Sequence, residues 1–349
     1  MLVVKSPLRL SFLGGGSDYF DFFSSEKGAV FGCTINLYVY VMALPLPPFA
    51  EEKIRFTYRK TESVSSISEL QHPVIREILK RYDYKYPINI ATMADVSGNS
   101  GLGSSSSFTV GSLLLFRHLL NLPSSPEALA LEAIEIERNV LSEEGGFQDQ
   151  YFAAYGGLRK FEFNHLGMSS TQNVQNVKFL KKIEENILLI PFGGERNSKI
   201  FAKKHITAIK ETESRKRLLD LVHLTEDVVS KIDTHPEDTT TYENFIYAMK
   251  QSWDIKVKNS FDGDLKEADN FIQNAIQNGA RAGKLCGAGS SGFILLFCPL
   301  ELHNSLLSRI GAKNYCKPKI DLRGARFVED ELKGKVAVSE TWDINRWTK

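Results

Sequence analysis

One segment of the chain, residues 96–107, has the residue types and spacing of an anion-binding loop. Three glycines let the backbone approach a ligand closely, and four consecutive serines follow where a helix should begin. Apolar residues then recur from Phe108 to Leu120 at roughly helical spacing. A loop that opens a helix directs unpaired N–H groups and the positive end of the helix dipole at one place, which favours phosphate. The residues predicted to bind it are Gly98, Ser100, Gly101, Leu102, Gly103, Ser104, Ser105, Ser106 and Ser107.

The alternative interpretation of this segment is a flexible Gly/Ser linker. Against a linker, the run is short, is interrupted by Leu102 and passes directly into an apolar helix. It is not a Walker A loop, because no Gly-Lys-Ser/Thr follows the glycines, and it lacks the GxGxxG spacing of a dinucleotide fold. On the pattern alone, both interpretations stay open.

Composition narrows the class of protein. At 349 residues the chain can form two domains or one large one. Forty-three basic and 42 acidic side chains give a net charge of +1, so no long-range field favours nucleic acid or an anionic membrane as partner. The N-terminus has too few apolar residues for a signal peptide, and prolines at 45, 47 and 48 exclude a spanning helix there. The four cysteines show no CxxC spacing, which indicates neither disulfides nor zinc and fits a reduced, cytoplasmic setting.

Hydrophobic periodicity predicts the elements that must position the Gly/Ser segment. A domain boundary is expected near residues 165–185, dividing the chain into domains 1–175 and 176–349. Long helices are expected between about Lys199 and Ala280, interrupted near Pro236. Strands are predicted at Val3–Leu13, Cys33–Leu44, Lys53–Tyr58, Ile88–Met93, Ile187–Ile190 and Gly292–Phe297. Shorter helices are predicted at Pro73–Tyr82, Phe108–Leu120 and Pro126–Leu141, the last with Ser124 or Ser125 as its N-cap.

The chain contains three glycine loops: loop 1 (residues 14–19), loop 2 (residues 98–107) and loop 3 (residues 284–293). Their order and flanks resemble the three signature motifs of the GHMP kinases, the family of galactokinase, homoserine kinase, mevalonate kinase and phosphomevalonate kinase. The run Gly101-Leu102-Gly103-Ser104-Ser105 is the most specific part of a resemblance that extends from Pro7 to about Phe293. It implies a two-domain α+β fold, with an N-terminal ribosomal-S5-like domain and a C-terminal ferredoxin-like domain.

The resemblance also implies ATP as phosphate donor and Mg²⁺ as metal. Glu137 matches the family's metal-binding glutamate, and Ser105 matches its hydroxyl ligand, with Ser104 as the alternative if the register slips. Spacing alone would favour a solvated helix position for Glu137, as is expected for Glu132 and Glu135. The resemblance reverses that interpretation for Glu137, since Mg²⁺ takes few carboxylates together with phosphate oxygens.

The turn from Gly145 to Gln150 matches the one that carries the catalytic aspartate in sugar kinases of this family, which implies that Asp149 accepts or orients the substrate hydroxyl proton. Arg9 matches the basic residue that reaches this aspartate and would stabilise developing negative charge. By position alone, Asp149 would be a turn former and Arg9 a surface strand residue. In loop 3, Gly287, Ala288 and Gly289 are implied to order the phosphate-binding segment.

The substrate contacts implied by the resemblance are Gly15, Gly16, Ser17, Asp18, Tyr19, Gly146, Gln148, Arg196 and Ser198. Asp18 and Tyr19 resemble the pair that holds sugar hydroxyls in galactokinase-like enzymes. Residues 7–18, 34–36 and 145–157 are most similar to the bacterial branch that phosphorylates the anomeric hydroxyl of a manno-heptose 7-phosphate on the route to GDP-heptose.

In that branch Arg196 and Ser198 would hold the 7-phosphate, with a surface salt bridge of Arg196 as the alternative. Two features depart from the branch pattern: Ser17 replaces threonine, and residues 191–196 lack the usual Thr-Gly. Two other functions therefore remain open. One is another sugar 1-kinase, acting on fucose, galactose or an unphosphorylated heptose, and the other is a non-catalytic relative that senses sugar and ATP.

Overall fold

An eight-stranded mixed sheet and a three-stranded antiparallel sheet form the framework of the protein. The computed structural model describes residues 1–47, 49–98, 100–193, 204, 206–234, 239–260, 263–287, 289 and 291–328, and the structural statements below refer to these residues. Within them, no helix has the length and apolar character needed to cross a membrane.

The larger sheet has the order β11-β1-β2-β5-β3-β4, and β6 joins it by pairing with β2 and β7. The smaller sheet has the order β8-β10-β9. The strands are β1 (Leu2–Leu13), β2 (Gly28–Pro45), β3 (Ile54–Thr57), β4 (Thr61–Val64), β5 (Ile88–Ala94), β6 (Leu158–Asn164), β7 (Gly167–Asn173), β8 (Ile187–Phe192), β9 (Ala282–Leu285), β10 (Gly292–Phe297) and β11 (Arg326–Phe327).

The helices cover the two sheets and carry most of the residues of interest. They are α1 (Phe20–Phe23), α2 (Pro73–Arg81), α3 (Ser104–Leu119), α4 (Pro126–Ile134), α5 (Gln148–Tyr155), α6 (Val177–Asn186), α7 (Thr212–Thr234), α8 (Thr239–Lys258), α9 (Lys266–Gln277) and α10 (His303–Arg309). Three short 3₁₀ or π segments are Ile67–Glu69, Glu135–Val140 and Leu300–Leu302.

Strand β2 begins five residues before the start that its hydrophobic alternation predicts. Its first part, Gly28–Cys33, pairs with β6, while Val39–Pro45 pairs with β5. The early part contains Gly32, where an added Cβ would lie 2.3 Å from the Leu10 carbonyl oxygen of β1. Glycine is disfavoured in strands by propensity but is required where two backbones approach closely, so the strand signal is weak where the packing is tightest.

The predicted helix from Pro126 to Leu141 is two segments. Regular α4 begins as expected, since the Ser125 side chain accepts a hydrogen bond from the Ala128 N–H (3.1 Å) and Pro126 occupies the first turn. From Glu135 to Val140 the backbone is π-helical. Such wide turns cost regular hydrogen bonding and are frequent at functional sites. This one contains Glu137.

Aromatic side chains join the two sheets. The Phe12 ring of β1 makes edge contacts with Phe31 of β2 (centroids 6.0 Å), Phe245 of α8 (5.5 Å) and Phe297 of β10 (5.8 Å). All four rings belong to one buried cluster. The last strand, β11, returns to the larger sheet and pairs with β1. The domain boundary remains a prediction, and both sheets contribute to this shared core.

Several elements were not predicted from the sequence. Strands β4, β6, β7, β9 and β11 and helices α1, α5, α6 and α10 had no assignment. The polar segment in which the domain boundary was expected contains β7 and most of α6. In β7 the sequence Gly-Met-Ser-Ser-Thr-Gln-Asn has little hydrophobic alternation, and its partner β6 supplies the hydrogen bonds that hold it in place.

Candidate active site

A cavity of about 370 Å³ lies where the three glycine loops meet. Loop 1 and loop 2 come from the larger sheet and its helices, and loop 3 comes from the smaller sheet. Helices α7 and α8 complete the wall with Leu218, Leu221, Ser252, Ile255 and Lys256. The predicted residues that line the cavity are Arg9, Gly15, Gly16, Asp18, Tyr19, Gly101, Gly103, Ser104, Ser105, Ser106, Glu137, Gly146, Gln148, Asp149, Gly287 and Gly289.

Loop 2 directs the start of helix α3 into this cavity. Gly103 is the N-cap, with φ +76°, and helix α3 begins at Ser104, four residues before the apolar stripe predicts. Gly101 is also left-handed, and an added Cβ there would lie 2.4 Å from the Cys286 carbonyl oxygen of loop 3. Only glycine combines this backbone conformation with this contact. The loop therefore exposes the first N–H groups of α3 to the cavity, as an anion site requires.

Four of the nine predicted phosphate-binding residues do not line the cavity. The Leu102 side chain is fully buried in the core. The Ser100 hydroxyl accepts a hydrogen bond from the Leu102 N–H (3.3 Å), and the Ser107 hydroxyl donates to the Pro7 carbonyl (2.8 Å). Gly98 is exposed beside Arg59. The hydroxyls of Ser100 and Ser107 are thus engaged within the protein, where they shape loop 2 and attach α3 to β1. The assignment of all four residues to phosphate binding stays a prediction.

Arg9 of β1 and Asp149 of α5, far apart in sequence, form a two-pronged ion pair. Arg9 Nε lies 2.8 Å from Asp149 Oδ1, and Nη2 lies 2.9 Å from Oδ2. The remaining nitrogen, Nη1, donates to the Gly101 carbonyl at 2.5 Å. A side chain at Gly103 would contact both partners. The structure thus brings together the two residues that the sequence assigned to catalysis and places them beside the N-terminus of α3.

Glu137 is buried in the π-helical turn next to loop 2. Its Oε2 accepts hydrogen bonds from the Ser106 hydroxyl (2.9 Å) and Gln150 Nε2 (2.6 Å), and Arg138 Nη1 lies 3.6 Å away. Burial raises the pKa of this carboxyl above its ordinary value. The serine in contact with Glu137 is Ser106, whereas the sequence assigned Ser105 to this pair. The reason is helical geometry: Ser105 is exposed at the start of α3, and Ser106 faces inward.

Loop 1 and the turn at 145–150 are held together by Asp18. Its carboxylate is fully buried and accepts backbone hydrogen bonds from Gly16 (3.0 Å) and Gln148 (3.1 Å). An added Cβ at Gly146 would lie 1.9 Å from Asp18 Oδ2, so glycine is required there. Burial raises the pKa of Asp18 despite these hydrogen bonds.

Ser17, whose contact with substrate stays a prediction, is hydrogen-bonded within the turn of loop 1. Its hydroxyl donates to the carbonyls of Gly14 (2.8 Å) and Ala29 (3.0 Å) and accepts from the Ala29 N–H (3.0 Å). The single hydroxyl hydrogen is shared between two carbonyls, so Ser17 fixes loop 1, and it is not among the residues that line the cavity. Three other predicted residues, Arg196, Ser198 and Ala288, lie outside the described residues.

Three cationic residues of the cavity wall were missed by sequence reasoning. Arg138 donates to the carbonyls of Glu143 (3.3 Å) and Gly146 (2.8 Å) and so supports the turn that leads to Asp149. Lys256 and Lys284 come from α8 and β9. One signal was available: Lys284 is the first residue of loop 3, three positions before Gly287. For Lys256 no local motif exists, because the cavity forms only when α8 packs on β9.

Chemically, the arrangement suits transfer of an anionic group to a hydroxyl. A helix N-terminus and several cations can hold phosphate, and a carboxylate oriented by Arg9 can accept or orient a proton. A second buried carboxylate, Glu137, lies beside the same helix start. No group of three or more His, Cys, Asp or Glu side chains in the described part of the chain is arranged to hold a metal on its own.

Comparison with known proteins supports this chemistry. Residues 69–157 match the profile of the GHMP kinases N terminal domain. The D-glycero-alpha-D-manno-heptose 7-phosphate kinase of Campylobacter jejuni is 28% identical over 315 residues, which cover 86% of this chain and 90% of that protein. The mevalonate kinase of Saccharolobus solfataricus is 24% identical over 250 residues, covering 71% and 74%.

Solved structures agree in the fold. The crystal structure of a D-glycero-D-manno-heptose 1-phosphate kinase from Bacteroides thetaiotaomicron matches with a TM-score of 0.73 at 24% identity, covering 94% of this chain and 98% of that one. The Lactococcus lactis galactokinase complexed with galactose matches with a TM-score of 0.70 at 14% identity, covering 93% and 94%.

The chain thus carries the N-terminal domain of a GHMP kinase, and the family predicted from the three glycine loops is confirmed. The predicted α+β GHMP kinase fold is confirmed as well. The protein is a phosphotransferase of the class that uses an alcohol group as acceptor, as the family resemblance implied.

Proposed function

We propose that this protein is an ATP-dependent sugar kinase that phosphorylates the anomeric C1 hydroxyl of D-glycero-D-manno-heptose 7-phosphate. The product would be the 1,7-bisphosphate, an intermediate for GDP-heptose. The observation that carries the proposal is the two-pronged Arg9–Asp149 pair beside Gly103, at the N-terminus of α3 and inside the cavity. The relative from Campylobacter jejuni, matched over 86% of this chain, supports the heptose 7-phosphate as substrate.

In this proposal the N–H groups at the start of α3 bind the phosphates of ATP. Asp149 accepts or orients the proton of the attacking sugar hydroxyl, and Arg9 fixes the carboxylate while stabilising charge on the transferred group. Both groups are held by contacts made before any ligand arrives, which limits the reorganisation that the reaction requires. Asp18, with the backbone of Gly15, Gly16 and Gly146, lines the part of the cavity assigned to the sugar.

Mg²⁺ belongs to the proposal because the donor atoms fit it. Glu137 Oε1 is buried and has no hydrogen-bond partner among the described residues, although Oε2 has two. Mg²⁺ prefers one or two carboxylates completed by phosphate oxygens and water, so a site without a full protein cage is expected. Glu137 and a serine hydroxyl, from Ser106 by contact or Ser105 by motif, would hold the ion, which would neutralise charge on the ATP phosphates.

The location and domain division are further parts of the proposal. The four cysteines, Cys33, Cys286, Cys298 and Cys316, are all free thiols, as in a reducing compartment such as the cytoplasm. Domains 1–175 and 176–349 would meet at the cavity.

The test is to incubate the protein with a panel of sugars, ATP and Mg²⁺ and to measure the rate of ADP release. Heptose 7-phosphate should react fastest, with the new phosphate at C1. Asp149→Ala should lower kcat by roughly 10²–10⁴-fold while ATP still binds. Asp227→Ala, an exposed carboxylate on α7, is the matched control and should keep wild-type kcat. Near-wild-type turnover of the Asp149 variant would remove Asp149 from its role.

The same panel distinguishes the alternative functions. A kinase for fucose, galactose or an unphosphorylated heptose would show equal or faster turnover without the terminal phosphate. Arg196→Ala should raise KM for the sugar phosphate and leave unphosphorylated sugars unaffected, because a guanidinium binds phosphate through paired hydrogen bonds. No ADP release with any sugar would favour a non-catalytic sensor.

A further inference from the structure

Two lysines of the cavity wall, the half-buried Lys256 and the buried Lys284, have no role in the reaction as described so far. Lys256 Nζ donates to the carbonyls of Leu285 (2.8 Å) and Gly287 (2.5 Å), and Lys284 Nζ donates to the Phe12 carbonyl (2.9 Å). Within the described part of the chain, neither forms an ion pair with a carboxylate. Withdrawing an ammonium group from water without a counterion is costly, so this pair of lysines favours binding of an anion in the cavity.

Lys256 lies at the junction of loop 3 and loop 2. The carbonyl it contacts belongs to Gly287, and an added Cβ at Gly287 would lie 2.6 Å from Gly101 Cα. The Gly101 carbonyl in turn accepts the hydrogen bond from Arg9. Lys256 is therefore one backbone contact away from the proposed phosphate-binding segment, on the side where Arg9 and Asp149 meet.

The number of hydrogen bonds that the Lys256 amine can donate depends on whether it is protonated. A neutral amine has two N–H donors, and the two carbonyls of Leu285 and Gly287 use both. The ammonium form has a third N–H, which these carbonyls leave available to the cavity. Burial, with Lys284 and Arg9 nearby, lowers the pKa of Lys256 to about 7. A phosphate dianion in the cavity would raise the pKa of Lys256 again and so favour the ammonium form.

The groups around Lys256 come from several elements. Lys284 of β9 and Arg9 of β1 disfavour its protonation, and Cys286 of loop 3 favours it. On its own helix the Trp253 ring lies 5.7 Å from Nζ and accepts a cation on its face. From α7, Arg217 bonds to Asn259, one turn beyond Lys256. Asp149 is already paired with Arg9.

We propose that Lys256 is a phosphate-binding residue of the active site, which takes up a proton when the terminal phosphate of the nucleotide arrives and donates its third N–H to that group. The inference rests on the proposed nucleotide-dependent kinase function and adds a residue to it. In the transfer, the bond between the γ-phosphorus and the bridging oxygen breaks, and a bond from phosphorus to the sugar oxygen forms. The hydroxyl proton goes to Asp149, while Lys256 stays an ammonium ion and stabilises the transferred charge.

The experiment is titration calorimetry of MgATP binding at pH 8, in two buffers of different ionisation enthalpy and without sugar. At this pH Lys256 is mostly neutral in the free protein, so binding should take up about 0.5–1 proton per site. MgADP, which lacks the terminal phosphate, should take up less than about 0.2. Uptake below about 0.2 with MgATP, or equal uptake with both nucleotides, would overturn the proposal.

Variants assign the proton to Lys256. Lys256→Met and Lys256→Arg should both lose the uptake: the first cannot ionise and the second is always charged. Lys258→Met is the control: it removes an exposed lysine two residues along the same helix and should retain the proton uptake. Thermal unfolding checks that each variant is folded, and Lys256→Arg retains a cation if Lys256→Met is unstable. Uptake that persists in a folded Lys256 variant would refute the assignment. Because no sugar is present, the result is independent of whether the heptose substrate is correct.

Discussion

Two buried glutamates five residues apart show how differently one side chain can be used. Glu132, in α4, accepts from Arg81 Nε (2.8 Å), Arg117 Nη1 (2.5 Å) and the Tyr82 hydroxyl (2.8 Å). Glu137, in the adjoining π-helical turn, has two neutral donors and, farther away at 3.6 Å, Arg138 Nη1 on Oε2, while Oε1 has no hydrogen-bond partner among the described residues. One carboxylate is fully paired, and the other is not.

The difference separates a structural residue from a functional one. The charges around Glu132 are satisfied within the protein, so this cluster joins α2, α3 and α4 and needs no ligand. Glu137 carries an unpaired oxygen in a place that burial makes unfavourable for charge. Such an arrangement reduces stability in the free protein and is understandable if a cation completes it. The wide turn from Glu135 to Val140 is what aims Glu137 at loop 2.

The largest effect is expected from breaking the paired glutamate. Glu132→Gln leaves Arg117 and Arg81 facing a neutral amide and should lower the free energy of unfolding by about 3 kcal/mol, measured by urea denaturation. This is the low end for a buried ion pair, because Arg81 remains 42% exposed. Glu135 is partly exposed three residues further along, and Glu135→Gln should change the free energy of unfolding by less than about 0.5 kcal/mol. A loss below about 1 kcal/mol for Glu132→Gln would contradict a structural role.

Glu137→Gln should show the opposite pattern. Removing the metal-binding charge should lower kcat about 10²-fold and raise the Mg²⁺ concentration needed for half-maximal activity. The free energy of unfolding should not fall, because a neutral amide replaces a charge that burial disfavours. If this variant unfolds as readily as Glu132→Gln and remains active, the contrast between the two glutamates is wrong.

The smallest expected effect tests which serine hydroxyl acts together with Glu137 at the proposed Mg²⁺ site. Ser106→Ala removes the hydroxyl that lies 2.9 Å from Glu137 Oε2 and should raise the Mg²⁺ requirement roughly tenfold, the worth of one hydrogen bond to a charged group. Ser105→Ala should have less effect, since Ser105 is exposed at the start of α3. The reverse order, measured by the same Mg²⁺ titration, would return the ligand to the position predicted by the motif.

The predictions that succeeded depend on short stretches of chain. Helix α2 begins at Pro73 and strand β10 covers Gly292–Phe297, as their periodicity predicts. Loop 2 opens α3 because Gly101 and Gly103 permit left-handed backbone where other residues would be strained. These features are local, so the sequence contains the information that produces them.

The predictions that failed depend on packing between distant elements. Glu132 was expected to be solvated, yet α2 and α3 bring two arginines and a tyrosine onto it. The ligand contacts of Ser17 and Ser107 stay predictions, and the carbonyls that their hydroxyls bind were not foreseen. Strand β7 has little alternation and exists because β6 pairs with it. No spacing within a single segment reports these partners.

By itself, the sequence determined the family, the three glycine loops and the main catalytic candidates, because glycine and serine requirements at a phosphate-binding turn are local and strict. Only the tertiary structure decided that Ser106 contacts Glu137, that Asp18 joins loop 1 to the 145–150 turn, and that Lys256 reaches loop 3. The physical reason is that the charge state and use of a buried polar group depend on which groups surround it, and those come from other parts of the chain.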